Sequence, residues 1–410
     1  MKEPKTPSSL FDDLENLTKT AKWITNQLRK PAWQSDYQQA VAFLKAYKGS
    51  LGTFNSYRRE IEKLLQWTWH IASKSIQALR REDIERFVIF CQKPPKTWIG
   101  LKKATRFINK EGQRLQNPEW RPFVATLSKA AVRKGQTPDI KKFQLSQGST
   151  KECFAILSSF FNYLLQEEYI AMNPVATIRQ KSKFIRKRQG PAKIRRLSEL
   201  QWQTVMEAAT TMANVNPELH ERTLFMMTAL YSMYLRISEL AASKRWIPSM
   251  NHFHRDQAGL WWFITVGKGN KERQIAVSDQ MLAALKRYRQ YLGLSALPSP
   301  ADHLPLFPKS KGQGPIANTS YIRTIIQQCF DNAILKLQHN NHLEEAEALN
   351  EATVHWLRHT GISDDVKRRP REHVRDDAGH SSSAITDKYI DIELRERHKT
   401  AKNKPILTTE

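Results

Sequence analysis

The sequence has little that would suit a membrane-bound, secreted or nucleotide-dependent protein. Its 410 residues include only three cysteines, Cys91, Cys153 and Cys329, which are widely spaced and form no Cys-x-x-Cys pattern. They indicate reduced thiols in a cytoplasmic protein rather than a disulfide framework. The absence of an apolar run of about 18 residues and of a signal peptide argues against membrane insertion and export. The single Gly-Lys pair, Gly267-Lys268, lacks the following Ser or Thr of a P-loop, so ATP use is not indicated.

Acidic residues are also in deficit. Lys and Arg number 65 against 40 Asp and Glu, which gives a formal net charge of +25. A basic surface can simply aid solubility, but an excess of this size favours a polyanionic partner, and nucleic acid before a membrane surface. Hydrophobic residues make up 40% of the chain, enough for real cores. The length predicts two or three domains.

The first half reads as helices. Apolar residues recur at helical spacing in residues 53–69, 84–91 and 153–164. We predict an amino-terminal arm at residues 1–34 and a helical domain at 35–175. Residues 96–147 are basic and form an insertion, and two interpretations are equally open: it lies along DNA, or it is a solvated elaboration without contacts.

A basic linker is expected at residues 176–196, where a Gly-Pro pair follows dense Lys and Arg. Such a linker suits two domains that close around a duplex, so we expect its cations to bind phosphates. A nuclear-localisation role stays open. The candidate DNA-binding residues here are Lys181, Lys183, Arg186, Lys187 and Arg188.

The second half reads as a helical domain with a small β-hairpin or sheet at residues 197–390, followed by a tail at 391–410. A long apolar helix leads into Tyr234-Leu235-Arg236-Ile237-Ser238-Glu239, and β-formers in residues 261–266 and 272–277 flank a Gly-Lys-Gly turn. Helices are predicted at residues 280–292 and 319–337. The fold class is therefore mainly α.

One set of residues indicates phosphate chemistry. His355, Arg358 and His359 lie close in sequence, and His380 and Tyr389 follow. Arg offers a planar, charged fork for phosphate oxygens, His can move a proton near neutral pH, and Tyr is a nucleophile once deprotonated. His355 and His359 share a helix face, but no further ligand is placed to complete a zinc site, so we predict no metal.

These motifs resemble the tyrosine recombinase (integrase) family, whose signature runs His-x-x-Arg-His, Gly-His, then Tyr. Family members also carry an Arg in a Leu-Arg-Ile-Ser-Glu-Leu setting and a hairpin Lys, matched here by Arg236 and Lys268. The resemblance implies a two-domain DNA clamp, in which a helical core-binding domain precedes the catalytic domain. It also implies cleavage without metal or nucleotide cofactors.

The resemblance further implies a role for each matched residue. Tyr389 attacks phosphorus to give a 3′-phosphotyrosyl link, and His355 acts as general acid or base beside it. Arg236 and Arg358 bind the phosphate, with Glu239 and His359 in support. His380 contacts a non-bridging oxygen of the phosphate. Lys268 protonates the leaving 5′ oxygen, with Lys271 as the alternative acid. Lys271 and Arg273 are also candidates for DNA contacts.

The expected function is site-specific recombination for a mobile element or a DNA resolution system, in the cytoplasm at the nucleoid. The expected partners are duplex DNA with paired half-sites and further copies of the chain, as a dimer on one site and a tetramer in synapsis. An accessory DNA-bending protein is possible. A type IB topoisomerase-like enzyme and an architectural DNA-binding protein are the alternatives.

Two departures from the family pattern are present. Tyr234 stands where the family usually has Gly before Leu-Arg, which matters if that residue needs a positive φ. Residues 364–377 are charged where the family has a more apolar helix, and Pro370 is expected to break or start a helix there.

Overall fold

The computed structural model describes residues 5–178, 184, 195–267, 269–387, 389 and 402. The chain divides into two compact units, Met1–Gln189 and Gly190–Glu410. Both are dominated by helices with small sheets, so the prediction of a mainly α fold is confirmed.

The first unit is built on helices that pack around an aromatic core. Helices α2, α3 and α6 contact one another, and Phe43, Phe54, Phe160 and Phe161 are buried among them. The apolar spacing read in the sequence therefore becomes one buried face of each helix. The helices are α1 Leu17–Gln27, α2 Pro31–Ala46, α3 Leu51–His70, α4 Arg81–Gln92, α5 Lys129–Arg133 and α6 Gln147–Gln166.

Residues 5–34, which the sequence predicts as an arm, dock on the first unit through a few apolar side chains. Leu10 and Phe11 are buried in the same core as α2 and α3. The Tyr37 hydroxyl donates to the Leu10 carbonyl at 2.8 Å, and Glu62 Oε1 accepts from the Leu10 amide at 2.7 Å. These few apolar anchors, with partners on α2 and α3, make the segment part of the first unit.

The insertion at residues 96–147 is tied to this unit rather than wholly solvated. It contains a parallel pair, β1 Ile99–Gly100 with β4 Phe123–Val124, and an antiparallel hairpin, β2 Phe107–Lys110 with β3 Gln113–Gln116. Trp98 and Phe107 are buried in the core. Arg106 Nε also donates to Glu62 Oε2 on α3 at 2.8 Å. A contact between the insertion and DNA stays a prediction.

The second unit packs its helices around α7, α8 and α11 beside a three-stranded antiparallel sheet in the order β5-β6-β7. The predicted strand pair is present, and β5 extends it by one short strand. The strands are β5 Phe253–Arg255, β6 Trp261–Val266 and β7 Glu272–Ala276. The helices are α7 Glu199–Val215, α8 Pro217–Ser232, α9 Ile237–Leu240, α10 Asp279–Tyr291, α11 Thr319–His339, α12 Leu343–Leu349, α13 Val354–Asp365, α14 Arg371–Ala378 and α15 Ser383–Asp387.

One close approach fixes α13 against α8. A Cβ on Gly361 would lie 2.1 Å from the Tyr231 carbonyl oxygen, so only glycine permits this contact between α13 and the end of α8. Pro370 precedes α14, as its lack of an amide donor predicts. Over the described ranges, no helix combines the length and the apolar character needed to cross a membrane.

Candidate active site

Arg358 lies at the centre of the second unit's polar cluster. It projects from α13 with 3% of its surface exposed. Its Nη1 donates to the Tyr234 carbonyl, and its Nη2 donates to the Ala378 carbonyl at 2.6 Å. Burial and the nearby charge of Arg236 lower the pKa of Arg358 to about 9, which leaves it cationic at neutral pH. Two backbone carbonyls from different elements therefore fix the direction of one guanidinium group.

Arg236 and Arg273 share the carboxylate of Glu239. Arg236 precedes α9, and its amide and Nη1 donate to Glu239 at 2.9 and 3.1 Å. Arg273, on β7, donates from Nη1 and Nη2 to the two Glu239 oxygens at 2.9 and 2.8 Å. Burial opposes ionisation of Glu239, but the hydrogen bonds and charges of Arg273 and Arg236 outweigh it and lower its pKa. The carboxylate is thus an anionic anchor between two guanidinium groups.

The two arginines differ in what they leave open. The Arg236 side chain is 27% exposed, whereas the Arg273 side chain is 10% exposed. The Nε of Arg273 also donates to the Asp377 carbonyl at 2.9 Å. Arg236 can therefore offer donors to a phosphate. Arg273, which the sequence grouped with the DNA contacts, already has all three nitrogens hydrogen-bonded, and its contact with DNA stays a prediction.

Two glycines allow this crowding. A Cβ on Gly267 would lie 2.9 Å from Arg273 Nη1 and 3.4 Å from Arg236 Nη1. Gly379 ends α14 at φ +63°, and a Cβ there would lie 2.9 Å from Arg273 Cδ. The first glycine of the Gly-Lys-Gly turn and the glycine of the Gly-His pair therefore make room for the guanidinium groups.

Two histidines, His359 and His380, contact Tyr389, which is 8% exposed, and His355 lies beside His359. His359 Nδ1 lies 2.5 Å from the Tyr389 hydroxyl. The His355 and His359 ring centroids are 4.4 Å apart, and the His380 ring stacks on the Tyr389 ring at 5.9 Å. His380 Nδ1 lies 2.9 Å from Thr386 Oγ1. The structure therefore brings together residues on α13 and residues that follow α14.

The charges around these rings favour neutral imidazoles. Burial, with His355 and Arg358 nearby, lowers the pKa of His359 to about 4. Burial, Arg358 and Arg236 lower the pKa of His380 to about 4. Partial burial, then Arg358 and Arg236, lower the pKa of His355. At neutral pH each of these rings can accept a proton from a neighbour.

The electrostatics at Tyr389 oppose one another. Burial raises the pKa of the Tyr389 hydroxyl, while the positive charges of Arg358 and Arg236 act to lower it. When His359 carries its proton on Nε2, its Nδ1 accepts a hydrogen bond from the phenol. The sequence assigned the proton-transfer role to His355 and placed His359 in support. In the structure His359 makes the direct contact.

Tyr234 does adopt the positive φ that its position suggested. Its φ is +49°, in the left-handed region. Such a conformation costs an L-residue about 1–2 kcal/mol. Its side chain is fully buried, and its hydroxyl contacts Asp365 and accepts from Arg369 Nη1 at 3.0 Å. Arg236 nonetheless reaches the cluster, so the substitution does not displace it.

Several predicted residues cannot be placed. Lys268, the linker cations at 181, 183 and 186–188, and the tail apart from residue 402 lie outside the described residues. Lys271 is described and exposed at the hairpin turn. Throughout the described part of the chain, no group of three or more His, Cys, Asp or Glu side chains could hold a metal ion.

Sequence reasoning missed three participants. These are the carbonyl of Tyr234, the carbonyl of Ala378 and the pairing of Arg273 with Glu239. Backbone carbonyls carry no residue-type signal, and the Arg273 pairing joins β7 to α9 across 34 residues. The nearest available signal was the Glu of the Leu-Arg-Ile-Ser-Glu-Leu motif, because a buried carboxylate needs a cationic partner.

This arrangement places two guanidinium groups, three histidines and a buried tyrosine in one cluster, where cations can bind a phosphate and an imidazole can accept a proton. Residues 195–395 match the Phage integrase family. The carboxy-terminal half of the chain therefore belongs to the phage integrase family of tyrosine recombinases, which cleave and rejoin DNA strands.

Individual relatives are distant. The chain is similar to the tyrosine recombinase XerC of Leptospira interrogans serovar copenhageni, with 25% identity over 254 residues, 62% of this chain and 70% of the relative. Its fold is similar to that of the XerH site-specific recombinase in a post-cleavage complex with palindromic difH, with a TM-score of 0.55 and 15% identity over 97% of this chain and 91% of the other. It is also similar to the Tn1549 transposon integrase bound to transposon right-end DNA, with a TM-score of 0.51 and 15% identity over 89% of this chain and 97% of the other. The two structural likenesses concern the fold alone.

Proposed function

We propose that this chain is a site-specific recombinase that cuts DNA through a covalent bond to Tyr389. The observation that carries the proposal is the 2.5 Å contact between the Tyr389 hydroxyl and His359, beside the guanidinium of Arg358. A buried phenol beside a neutral imidazole and fixed cations has what a tyrosine nucleophile needs. A half-buried structural tyrosine would not require these neighbours.

The Tyr389 oxygen forms a bond to phosphorus, and the bond from phosphorus to the 5′ oxygen breaks. The phenol proton passes to the unprotonated Nδ1 of His359. Burial and nearby cations lower the pKa of that ring to about 4, so the transfer depends on the negative charge that the bound phosphate brings to the site. Lys268, with Lys271 as the alternative, supplies the proton that the leaving 5′ oxygen takes up, which leaves a 5′ hydroxyl and a 3′-phosphotyrosyl link.

Arg236 and Arg358 stabilise the charge that develops on the phosphoryl oxygens. Preorganised cations in a site of low exposure act strongly because they need no reorganisation during the reaction. His380, stacked on Tyr389, donates to a non-bridging oxygen. The covalent link conserves the phosphodiester bond energy, so a 5′ hydroxyl from another strand can reverse the step, and this reversal is strand exchange.

The proposed partner is duplex DNA with paired half-sites, bound by two copies of the chain on one site and four in synapsis. The net charge of +25 supports a polyanionic partner. The likeness to a transposon integrase and to Xer recombinases supports a mobile element or a DNA resolution system as the biological setting. A topoisomerase-like nicking and closing activity shares the same chemistry and is distinguished by the absence of exchange between two duplexes.

The test is covalent trapping on selected DNA. Tyr389→Phe protein is first used to enrich binding sequences from a random duplex pool. Wild type, Tyr389→Phe and a control variant, Tyr291→Phe at an exposed tyrosine of α10, are then incubated with a nicked suicide duplex of the enriched sequence. We expect an adduct on a denaturing gel with wild type and Tyr291→Phe only. Tight binding by wild type without any adduct would instead favour an architectural protein.

A further inference from the structure

Tyr234 occupies an unusual position behind the arginines. Its backbone is left-handed at φ +49°, its carbonyl accepts from Arg358, and its buried hydroxyl contacts Asp365 and Arg369. We propose that Tyr234, Asp365, Arg369 and Asp377 form a brace that positions the two phosphate-binding arginines. This inference rests on the proposed function, because it assigns a role to residues behind that same site.

The first arm of the brace reaches Arg358 through the backbone. A glycine at this positive φ would be free to reorient its peptide group. Tyr234 instead anchors the peptide through a ring whose far end is held by Asp365 on α13 and by Arg369 just after it. The contacts of the Tyr234 hydroxyl therefore restrict the movement of the Tyr234 carbonyl that accepts from Arg358.

The ring fits because of a matching glycine on α13. A Cβ on Gly361 would lie 3.3 Å from Tyr234 Cδ1, in addition to its clash with the Tyr231 carbonyl. The Tyr234 ring therefore packs against α13 at Gly361, where there is no side chain. Arg358 and Asp365, which the brace joins, belong to the same helix as Gly361.

The second arm runs from Arg369 toward Arg236. Arg369 Nη2 donates to Asp377 Oδ2 at 2.6 Å. The Asp377 carbonyl accepts from Arg273 Nε at 2.9 Å, and Arg273 holds both oxygens of Glu239. Glu239 in turn accepts from Arg236. A continuous series of hydrogen bonds therefore links the Tyr234 hydroxyl to Arg236, while the Tyr234 carbonyl holds Arg358.

The chain offers a matched control. Tyr231 lies one turn earlier near the end of α8, and its hydroxyl donates to Asp364 Oδ2 at 2.9 Å. Its ring stacks on Trp202 with centroids 4.0 Å apart. Tyr231→Phe thus removes the same kind of tyrosine–aspartate hydrogen bond without touching the series that ends at the arginines.

The experiment measures the single-turnover rate of adduct formation and the DNA affinity separately, on the suicide duplex enriched with Tyr389→Phe protein. Tyr234→Phe should reduce the rate constant about 10-fold, within the loss of up to about 100-fold that small misplacements of catalytic groups cause. Its affinity should stay within about 2-fold of wild type, since no DNA-facing group is removed. Tyr231→Phe should leave both quantities unchanged.

A conservative pair adds a readout that general destabilisation would not move. Arg369→Lys keeps a cation that can donate to Asp377, so it should retain more of the cleavage rate than Arg369→Met at a temperature well below either melting point. Equal rates for Tyr234→Phe and Tyr231→Phe, or for the two Arg369 variants, would overturn the brace while leaving the proposed function intact. A wild-type protein that forms no Tyr389-dependent adduct would overturn the proposed function, and the brace with it.

Discussion

Glu239 is the carboxylate on which the arginine cluster depends, and its replacement gives a sharp prediction. Its side chain is 1% exposed. It accepts two hydrogen bonds from the Arg273 side chain and one from the Arg236 side chain. In Glu239→Gln, one oxygen remains as an acceptor, but the amide nitrogen turns its hydrogens toward guanidinium donors. The positive charges of Arg236, Arg273 and Arg358 would then lie close together without an anion between them.

The expected loss is large. Removing one partner of a buried ion pair costs about 3–5 kcal/mol, because the other charge is left uncompensated. For a domain of roughly 150–250 residues, 1 kcal/mol corresponds to about 2–4 °C in melting temperature, so the transition should fall by about 6–20 °C. An exposed pair gives the contrast. Glu207 and Lys336 are 2.5 Å apart with side chains 60% and 45% exposed, and such pairs contribute about 0–1 kcal/mol.

The assay is differential scanning calorimetry of the full-length chain, with Glu239→Gln compared with Glu207→Gln. A double variant, Glu239→Gln with Arg273→Gln, should lose less than the sum of the two single changes, because the uncompensated cation goes with its partner. If Glu239→Gln melts within the range of the Glu207→Gln control, the carboxylate is not the anchor described here.

Three further predictions concern packing, pH and salt. Gly267→Ala brings a Cβ to 2.9 Å from Arg273 Nη1, so it should lower stability by about 1–3 kcal/mol and slow cleavage. The control Gly52→Ala adds a Cβ that meets nothing within 4 Å and should have neither effect. Equal effects of the two substitutions would refute the crowding at Gly267. Folding lowers the pKa of His359 and His380 to about 4 from 6.5, so the unfolded chain binds more protons between these values. The free energy of unfolding should therefore fall as the pH drops from about 6.5 to 4. A variant with both His359→Asn and His380→Asn should show a smaller change in melting temperature over the same pH range. DNA affinity should fall linearly on a log–log plot against salt, and a flat plot would contradict phosphate-dominated binding.

The sequence was most informative where chemistry is tied to residue type. The sequence predicts Arg358, His380 and Tyr389 as a set, because guanidinium, imidazole and phenol groups at these intervals have few structural uses. The family resemblance adds Arg236. The structure brings these described residues together. Their catalytic roles stay predictions, as does the role of Lys268.

The sequence was least informative about contacts made by the backbone or across long intervals. Residues 5–34 look polar, yet Leu10 and Phe11 reach the core because Glu62 and Tyr37 satisfy the backbone around them. Arg273 is predicted as a DNA contact of the hairpin, and the structure adds a pairing with the buried Glu239 that the sequence does not reveal. Residue type alone does not reveal which cation a buried carboxylate will recruit.

Tyr234 shows both sides of this limit. Tyr234 departs from the family pattern, which usually has glycine before Leu-Arg, and the structure has a positive φ at this residue. The compensation was not visible in the sequence, since it depends on Asp365 and Arg369, which lie more than one hundred residues away.

The most direct test of the account is to locate the covalent bond. The trapped adduct is digested with protease and nuclease, and the nucleotide-bearing peptide is sequenced by mass spectrometry. The account predicts a nucleotide joined through its 3′ phosphate to the oxygen of Tyr389. A nucleotide on any other residue, or one joined through a 5′ phosphate, would contradict it.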